Sequence, residues 1–160
     1  AIQRSGIVDP KDMCFRMGDS MFPEEVDVAL DFRCEDIYEL NDLAQAVGKL
    51  SHDDCIKLGA AVSIAGPECA SQIRHLAENL DLFEFAPGAH TPAEYGKYMI
   101  QESGHFEYER YGLQHMDQES GMFTNRGYIA YQGTVSLEEL MADDPAEAHG
   151  AEYGLQMGGM

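Results

Sequence analysis

Residues Asp36 to Leu50 read DIYELNDLAQAVGKL, and this stretch decides the fold class. Ile37, Leu40, Leu43, Ala44, Val47 and Leu50 recur three and four residues apart, while Glu39, Asp42 and Gln45 take the other side. That is the period of an amphipathic helix. Downstream, Ser51 stands where an N-cap belongs, with Asp54 as a shortened capping-box acid, and Gly66-Pro67 closes the segment. Ala70, Ile73, Leu76, Ala77 and Leu80 supply a third apolar stripe. Three short helices with tight connections predict a helical subdomain over residues 35–80.

Beyond residue 80 the period changes. Leu82-Phe83-Glu84-Phe85 reads as a strand and Pro87-Gly88 as a turn. Thr91-Pro92-Ala93-Glu94 is a capping box with proline at the first helical position, opening a helix expected to run to Ser103-Gly104. Aromatic-rich segments around Phe106–Tyr111 and Met122–Tyr131, broken by Ser120-Gly121 and Asn125-Arg126-Gly127, predict two or three strands. Ser136 with Glu139 caps a last short helix. Residues 81–143 are therefore expected to form a C-terminal α+β module, and residues 144–160, rich in Ala, Gly, Glu and Met, a flexible tail. Upstream, strands are predicted near Cys14–Met17 and over Val26–Phe32, where Val26, Val28, Leu30 and Phe32 alternate with Asp27, Ala29 and Asp31. Residues 1–34 are accordingly read as a partial N-terminal strand module. The fold class is α+β: a small helical subdomain followed by a mixed strand-helix module.

The charge constrains function more than the fold does. Twenty-nine acids face 10 bases, a formal charge of −19 on 160 residues, of which 44% are hydrophobic. Disordered acidic chains lack that apolar content, so the acidity decorates a folded body. A globule of this length has a diameter of roughly 40 Å. Duplex DNA carries about 23 charges over the same span. Such a surface repels nucleic acid and anionic lipid, and attracts surfaces rich in Lys and Arg. Composition alone leaves open a merely solvated acidic surface or the salt adaptation of a halophile.

Catalytic patterns do not appear at diagnostic spacing. The chain has no G-x-S-x-G, no G-x-x-x-x-G-K and no G-x-G-x-x-G. His52 with Cys55, and Glu102 with His105, are local pairs, but a di-iron bundle needs two E-x-x-H copies and only one is present. Neither a metal nor a cofactor is expected. Cys14, Cys34, Cys55 and Cys69 form no C-x-x-C pair, so free thiols in a reducing cytosol are the default. No apolar run approaches the roughly 18 residues of a membrane span, and the expected location is the cytoplasm. Tyr108, Tyr111, Tyr128 and Tyr131 on or beside strands suggest a base-stacking platform, yet Glu107, Glu109, Asp117 and Glu119 surround them. Such platforms need a basic groove. These tyrosines are better read as core or protein-interface residues.

The stretch from Glu35 to Tyr131 resembles the ArdA-type antirestriction proteins of phages and mobile elements. Tyr38-Glu39-Leu40-Asn41-Asp42-Leu43-Ala44, Leu80-Asp81-Leu82-Phe83-Glu84-Phe85 and Tyr95-Gly96-Lys97-Tyr98 carry the resemblance. Tyr108-Glu109-Arg110-Tyr111-Gly112 adds to it, and Gly121-Met122-Phe123-Thr124-Asn125-Arg126-Gly127-Tyr128-Ile129 is the most specific block. The resemblance implies an elongated, acidic, dimer-forming molecule whose carboxylates imitate DNA phosphates and block type I restriction–modification enzymes. The matched acids are Glu39, Asp42, Asp81, Glu84, Glu94 and Glu109, and these are the partner-binding residues it implies. The family's opening strand pair, with its Tyr, Gly and Trp positions, is missing, and the chain has no Trp. That departure admits a different target, an RNA-guided CRISPR effector whose channel holds nucleic acid by the same electrostatics.

The sequence thus predicts a non-enzymatic, DNA-mimicking counter-defence protein of the bacterial host cytoplasm that occupies the basic DNA-binding surface of a defence nuclease. An anti-CRISPR inhibitor acting through an acidic surface and an acidic adaptor module are the competing expectations.

Overall fold

The computed structural model of the protein describes residues 20–30, 35–100 and 107–143. In chain order these form α1 (Glu24–Ala29), α2 (Ile37–Gly48), α3 (His52–Ala65), α4 (Ala70–Glu78), a 3-10 turn (Leu80–Leu82), β1 (Phe83–Pro87), α5 (Pro92–Ile100), α6 (Tyr108–Glu119), β2 (Met122–Thr124), β3 (Gly127–Tyr131) and α7 (Leu137–Met141). The fold is mixed α+β, with seven helices and a three-stranded antiparallel sheet among the described residues.

The three helices expected over residues 35–80 form, Ser51 caps α3 as expected, and Asp36 caps α2 in addition. Asp36 accepts the Tyr38 amide at 2.8 Å, and Ser51 Oγ accepts the Asp54 amide at 3.1 Å while donating to Asp54 Oδ2 at 2.7 Å. The two bonds to backbone amides each satisfy an orphan donor of a first helical turn. Gly66 ends α3 at φ 61°, the left-handed conformation that glycine adopts without a Cβ penalty. At the other end of the chain, Ser136 and Glu139 complete a reciprocal capping box on α7.

Two expected strands are helices instead. In place of a strand over Val26–Phe32, residues Glu24–Ala29 form α1. Val26 and Leu30, four apart, are buried, whereas Val28 is 80% exposed, so the alternation of valines and leucine serves a helical period. Glu24, Glu25 and Asp27 in the first turn favour the positive end of the helix dipole. Likewise Tyr108 and Tyr111, expected in a strand beginning near Phe106, lie on α6. The residues that follow them, Gln, His, Met and Glu among others, suit a helix, and Ser120 ends it in the left-handed conformation at φ 54°. Expectations for Cys14–Met17, Phe106, Ser103-Gly104 and the 144–160 tail fall outside the described residues.

Strand order is β1-β3-β2, all antiparallel, with Phe83 opposite Tyr131, Phe85 opposite Ile129 and Phe123 opposite Tyr128. Side chains alternate across the sheet. Phe83 and Ile129, with the half-buried Phe85 and Tyr131, join Val26, Leu43, Leu58, Ile73, Leu76 and Met141 in one core. The helical section and the sheet therefore share a single apolar interior. Ala86, Tyr128 and Ala130 point the other way, into a second cluster with Tyr95 of α5, flanked by Met99, Met116 and Phe123. Both faces of β3 are covered, which explains why Gly-Tyr-Ile-Ala-Tyr reads as a nearly continuous apolar run.

The second cluster is roofed by an antiparallel pair, α5 and α6. A Cβ on Gly96 would overlap the Tyr108 carbonyl, and one on Gly112 would overlap the Pro92 carbonyl. Glycine at both positions lets the two backbones touch where ordinary side chains would hold helix axes about 8–10 Å apart.

Candidate acidic interaction surface

The six acids singled out in the sequence meet three different fates. Asp81, at the 3-10 turn, Glu84, on β1, and Glu109, in the first turn of α6, are exposed. No ion pair among the described residues involves them. Asp42 on α2 is also exposed, but it lines a cleft of about 350 Å³ with Lys49, Arg74 and Glu78, so its surroundings are of mixed charge. Glu39, one turn earlier, is half-buried, with Oε2 shielded from solvent and without a hydrogen-bond partner. Glu94 is engaged locally: its carboxylate accepts the His90 amide at 2.8 Å, and its own amide donates to Thr91 Oγ1 at 3.2 Å. The His90 amide holds the Glu94 carboxyl below its ordinary range.

Glu39 and Asp42 share α2, Asp81 and Glu84 lie three residues apart across the junction into β1, and Glu94 and Glu109 sit on the paired helices α5 and α6. Glu84 has a companion that sequence reasoning did not single out. Tyr95 donates to Glu119 Oε2 at 2.5 Å, and both Glu119 and Glu84 act electrostatically on that phenol. Burial, reinforced by Glu119, holds the Tyr95 hydroxyl far above its ordinary value. Tyr128 stacks against Tyr95 with ring centroids 4.0 Å apart, and burial raises its hydroxyl as well.

Several other acids are engaged by bases or backbone amides. Arg126 donates from Nε to Glu25 Oε1 at 2.7 Å and from its terminal nitrogen to Oε2 at 3.0 Å. That bidentate contact holds the Glu25 carboxyl below its ordinary range. Glu35 accepts the Ala70 amide at the start of α4, at 3.1 Å. Arg74 reaches Glu78 at 3.4 Å, and Arg110 reaches Glu107 at 3.6 Å on the exposed surface. The chain matches no family model, and no curated protein or solved structure at a significant level.

Among the described residues, Ser71, His75 and Asp143 lie near one another where nucleophile chemistry could be tested. Ser71 Oγ donates to the Asp143 carboxylate, while His75 Nδ1 meets the Met141 carbonyl at 3.1 Å. The hydroxyl is thus bonded to the acid and the imidazole to the backbone. The three residues tie α4 to the end of α7 and do not present a serine to a base. Cys55 and Cys69 are free and half-buried, and burial raises the Cys55 thiol, which disfavours the reactive thiolate. Among the described residues no group of three or more His, Cys, Asp or Glu side chains is arranged to hold a metal, and no helix is long and apolar enough to cross a membrane. Cys14, Cys34, Glu102 and His105 lie outside the described residues.

Proposed function

We propose that this protein is an acidic decoy: a counter-defence protein of the host cytoplasm that occupies the DNA-binding surface of a defence nuclease. The observation that carries the reading is the exposure of Asp81, Glu84 and Glu109, outside every ion pair of the described residues, on a chain of net charge −19. Carboxylates that are neither capped nor paired keep their field directed outward, where it attracts a phosphate-binding surface and repels nucleic acid. A packed α+β body supports this use, because charges on packed elements need less ordering at binding than charges on a flexible chain. The resemblance of residues 35–131 to antirestriction proteins makes a type I restriction–modification enzyme the first target to try.

The test is displacement of labelled DNA from that enzyme, titrated at two salt concentrations. DNA binding releases condensed counterions, so its affinity falls with a log–log slope of about −0.9 per phosphate neutralised. Separate side-chain carboxylates condense fewer ions, and apolar contacts are not screened. The decoy should therefore compete better at about 200 mM than at about 50 mM salt. DNA that stays bound at saturating protein, at either salt, would refute the reading for that enzyme.

A further inference from the structure

A groove of about 470 Å³ lies between α1 and the C-terminal end of α3, away from the six acids discussed above. Val28, Ala29, Val62 and Pro67 give it an apolar lining, and Glu24 stands among them. Val28 is 80% exposed although it sits beside the core residues of α1. Glu25, Ser63 and Asn125 also line it. Arg126, next to Asn125, neutralises Glu25 and also feels the charge of Glu24, so the two carboxylates and one guanidinium leave the groove with one net negative charge. Glu24 is exposed and belongs to no ion pair among the described residues. The last turn of α3 carries no basic residue, yet a helix C-terminus bears partial negative charge. The two residues following Gly66 do not relieve its terminal carbonyls. Pro67 has no N–H, and the Glu68 amide donates to Gln72 Oε1 at 2.7 Å.

An apolar lining, an exposed carboxylate and a helix C-terminus with no basic residue in its last turn make one composite site. We propose that this groove docks a short segment of a basic partner protein, with one aliphatic side chain seated between Val28 and Val62 and a flanking Lys or Arg directed at Glu24 and the end of α3. A second copy of this chain fits less well, since it would bring a further charge of −19 against Glu24. The proposal rests on the decoy reading only in taking the partner to be basic. It adds a contact that salt does not screen.

The probe is a short synthetic peptide with one central leucine flanked by lysines, compared with an isocharged peptide carrying serine in its place. Burying the leucine should make the first bind about tenfold more tightly. Val28→Ser should abolish that difference, and Glu24→Gln should weaken both peptides. Amide shifts induced by the leucine peptide should map to α1 and to Ser63–Gly66. Equal affinity of the two peptides, or shifts centred on Asp81, Glu84 and Glu109, would overturn the groove. The two proposals fail separately. Discrimination between the peptides without DNA displacement removes the decoy reading and leaves the groove, whereas displacement by wild type with no discrimination does the reverse.

Discussion

Glu25 and Arg126, 101 positions apart, form a two-pronged ion pair at 2.7 and 3.0 Å that fastens α1 to the turn between β2 and β3. The Glu25 carboxylate lies over Gly59 of α3, where any Cβ would overlap it. Both partners are largely shielded, with side-chain exposures of 16% for Glu25 and 33% for Arg126. Removing one partner strands the other, so Arg126→Met should lower stability by about 1–3 kcal/mol. Urea unfolding of the variant and of Glu25→Gln checks this, and the two losses should not add.

The same pair sets an acid limit. Because Arg126 depresses the Glu25 pKa below its ordinary 4.5, the unfolded state binds the proton first. The pair's contribution is complete above that value and is lost as pH falls below it. Stability followed from neutral to acid pH should fall less steeply in Glu25→Gln than in wild type. Parallel curves would remove Glu25 from the account of acid unfolding.

Alkali probes both apolar clusters, Tyr95 and Tyr128 in the second and Tyr131 against the first. Burial raises the hydroxyls of Tyr95, Tyr128 and Tyr131 above their ordinary value of 10.0. Above that pH the unfolded chain releases protons that the folded chain keeps, so stability falls as pH rises, by up to about 1.4 kcal/mol per pH unit for each such tyrosine. Tyrosinate absorbance for these residues should appear together with the loss of helical circular dichroism. Ionisation that precedes unfolding would show that the phenols are open to solvent.

Two glycines on helices should respond in opposite directions to alanine. Gly112→Ala forces α6 away from the Pro92 carbonyl and should cost about 1–3 kcal/mol or more. Gly48→Ala, at the last position of α2 with open space around it, should stabilise by at most about 0.5 kcal/mol. Thermal unfolding of both variants under one buffer condition is sufficient. A neutral Gly112→Ala would mean that the two helices are not in backbone contact.

The decoy reading separates exposed acids from engaged ones. Asp81→Asn, Glu84→Gln and Glu109→Gln combined should weaken DNA displacement by about tenfold or more, with stability unchanged within about 0.5 kcal/mol. Glu94→Gln, whose side-chain oxygen can still accept the His90 amide, should change stability little and leave displacement nearly intact. The reverse pattern would assign the contact to the wrong carboxylates.

Much of the fold was legible because local signals agreed. Over residues 36–80 the apolar spacing, the cap at Ser51 and the stop at Gly66 all specify helices, and the structure has them. The six residues of α1 are too few for a period to declare itself. Val26, Val28 and Leu30 satisfy a strand as well as a helix, and tertiary burial of Val26 and Leu30 decides. In α6 the tyrosines suggested a strand, while the usable signal was a glycine at mid-segment, Gly112, matching Gly96 in α5. For the site, the capping role of Glu94 was visible in Thr91-Pro92-Ala93-Glu94. The occlusion of Glu39 and the α1–α3 groove were not, since both depend on neighbours distant in sequence.

The order β1-β3-β2 also has a kinetic side. The hairpin of β2 and β3 closes over a few residues, whereas β1 must find β3 across the excursion that carries α5 and α6. Closing that long loop costs chain entropy before any strand pairing repays it, which slows folding. Helices α5 and α6, seated on each other through Gly96 and Gly112, draw the ends of the excursion together and make the closure cheaper. Alanine at Gly112 should therefore slow refolding as well as hasten unfolding, a partition that stopped-flow measurement of both limbs would read directly.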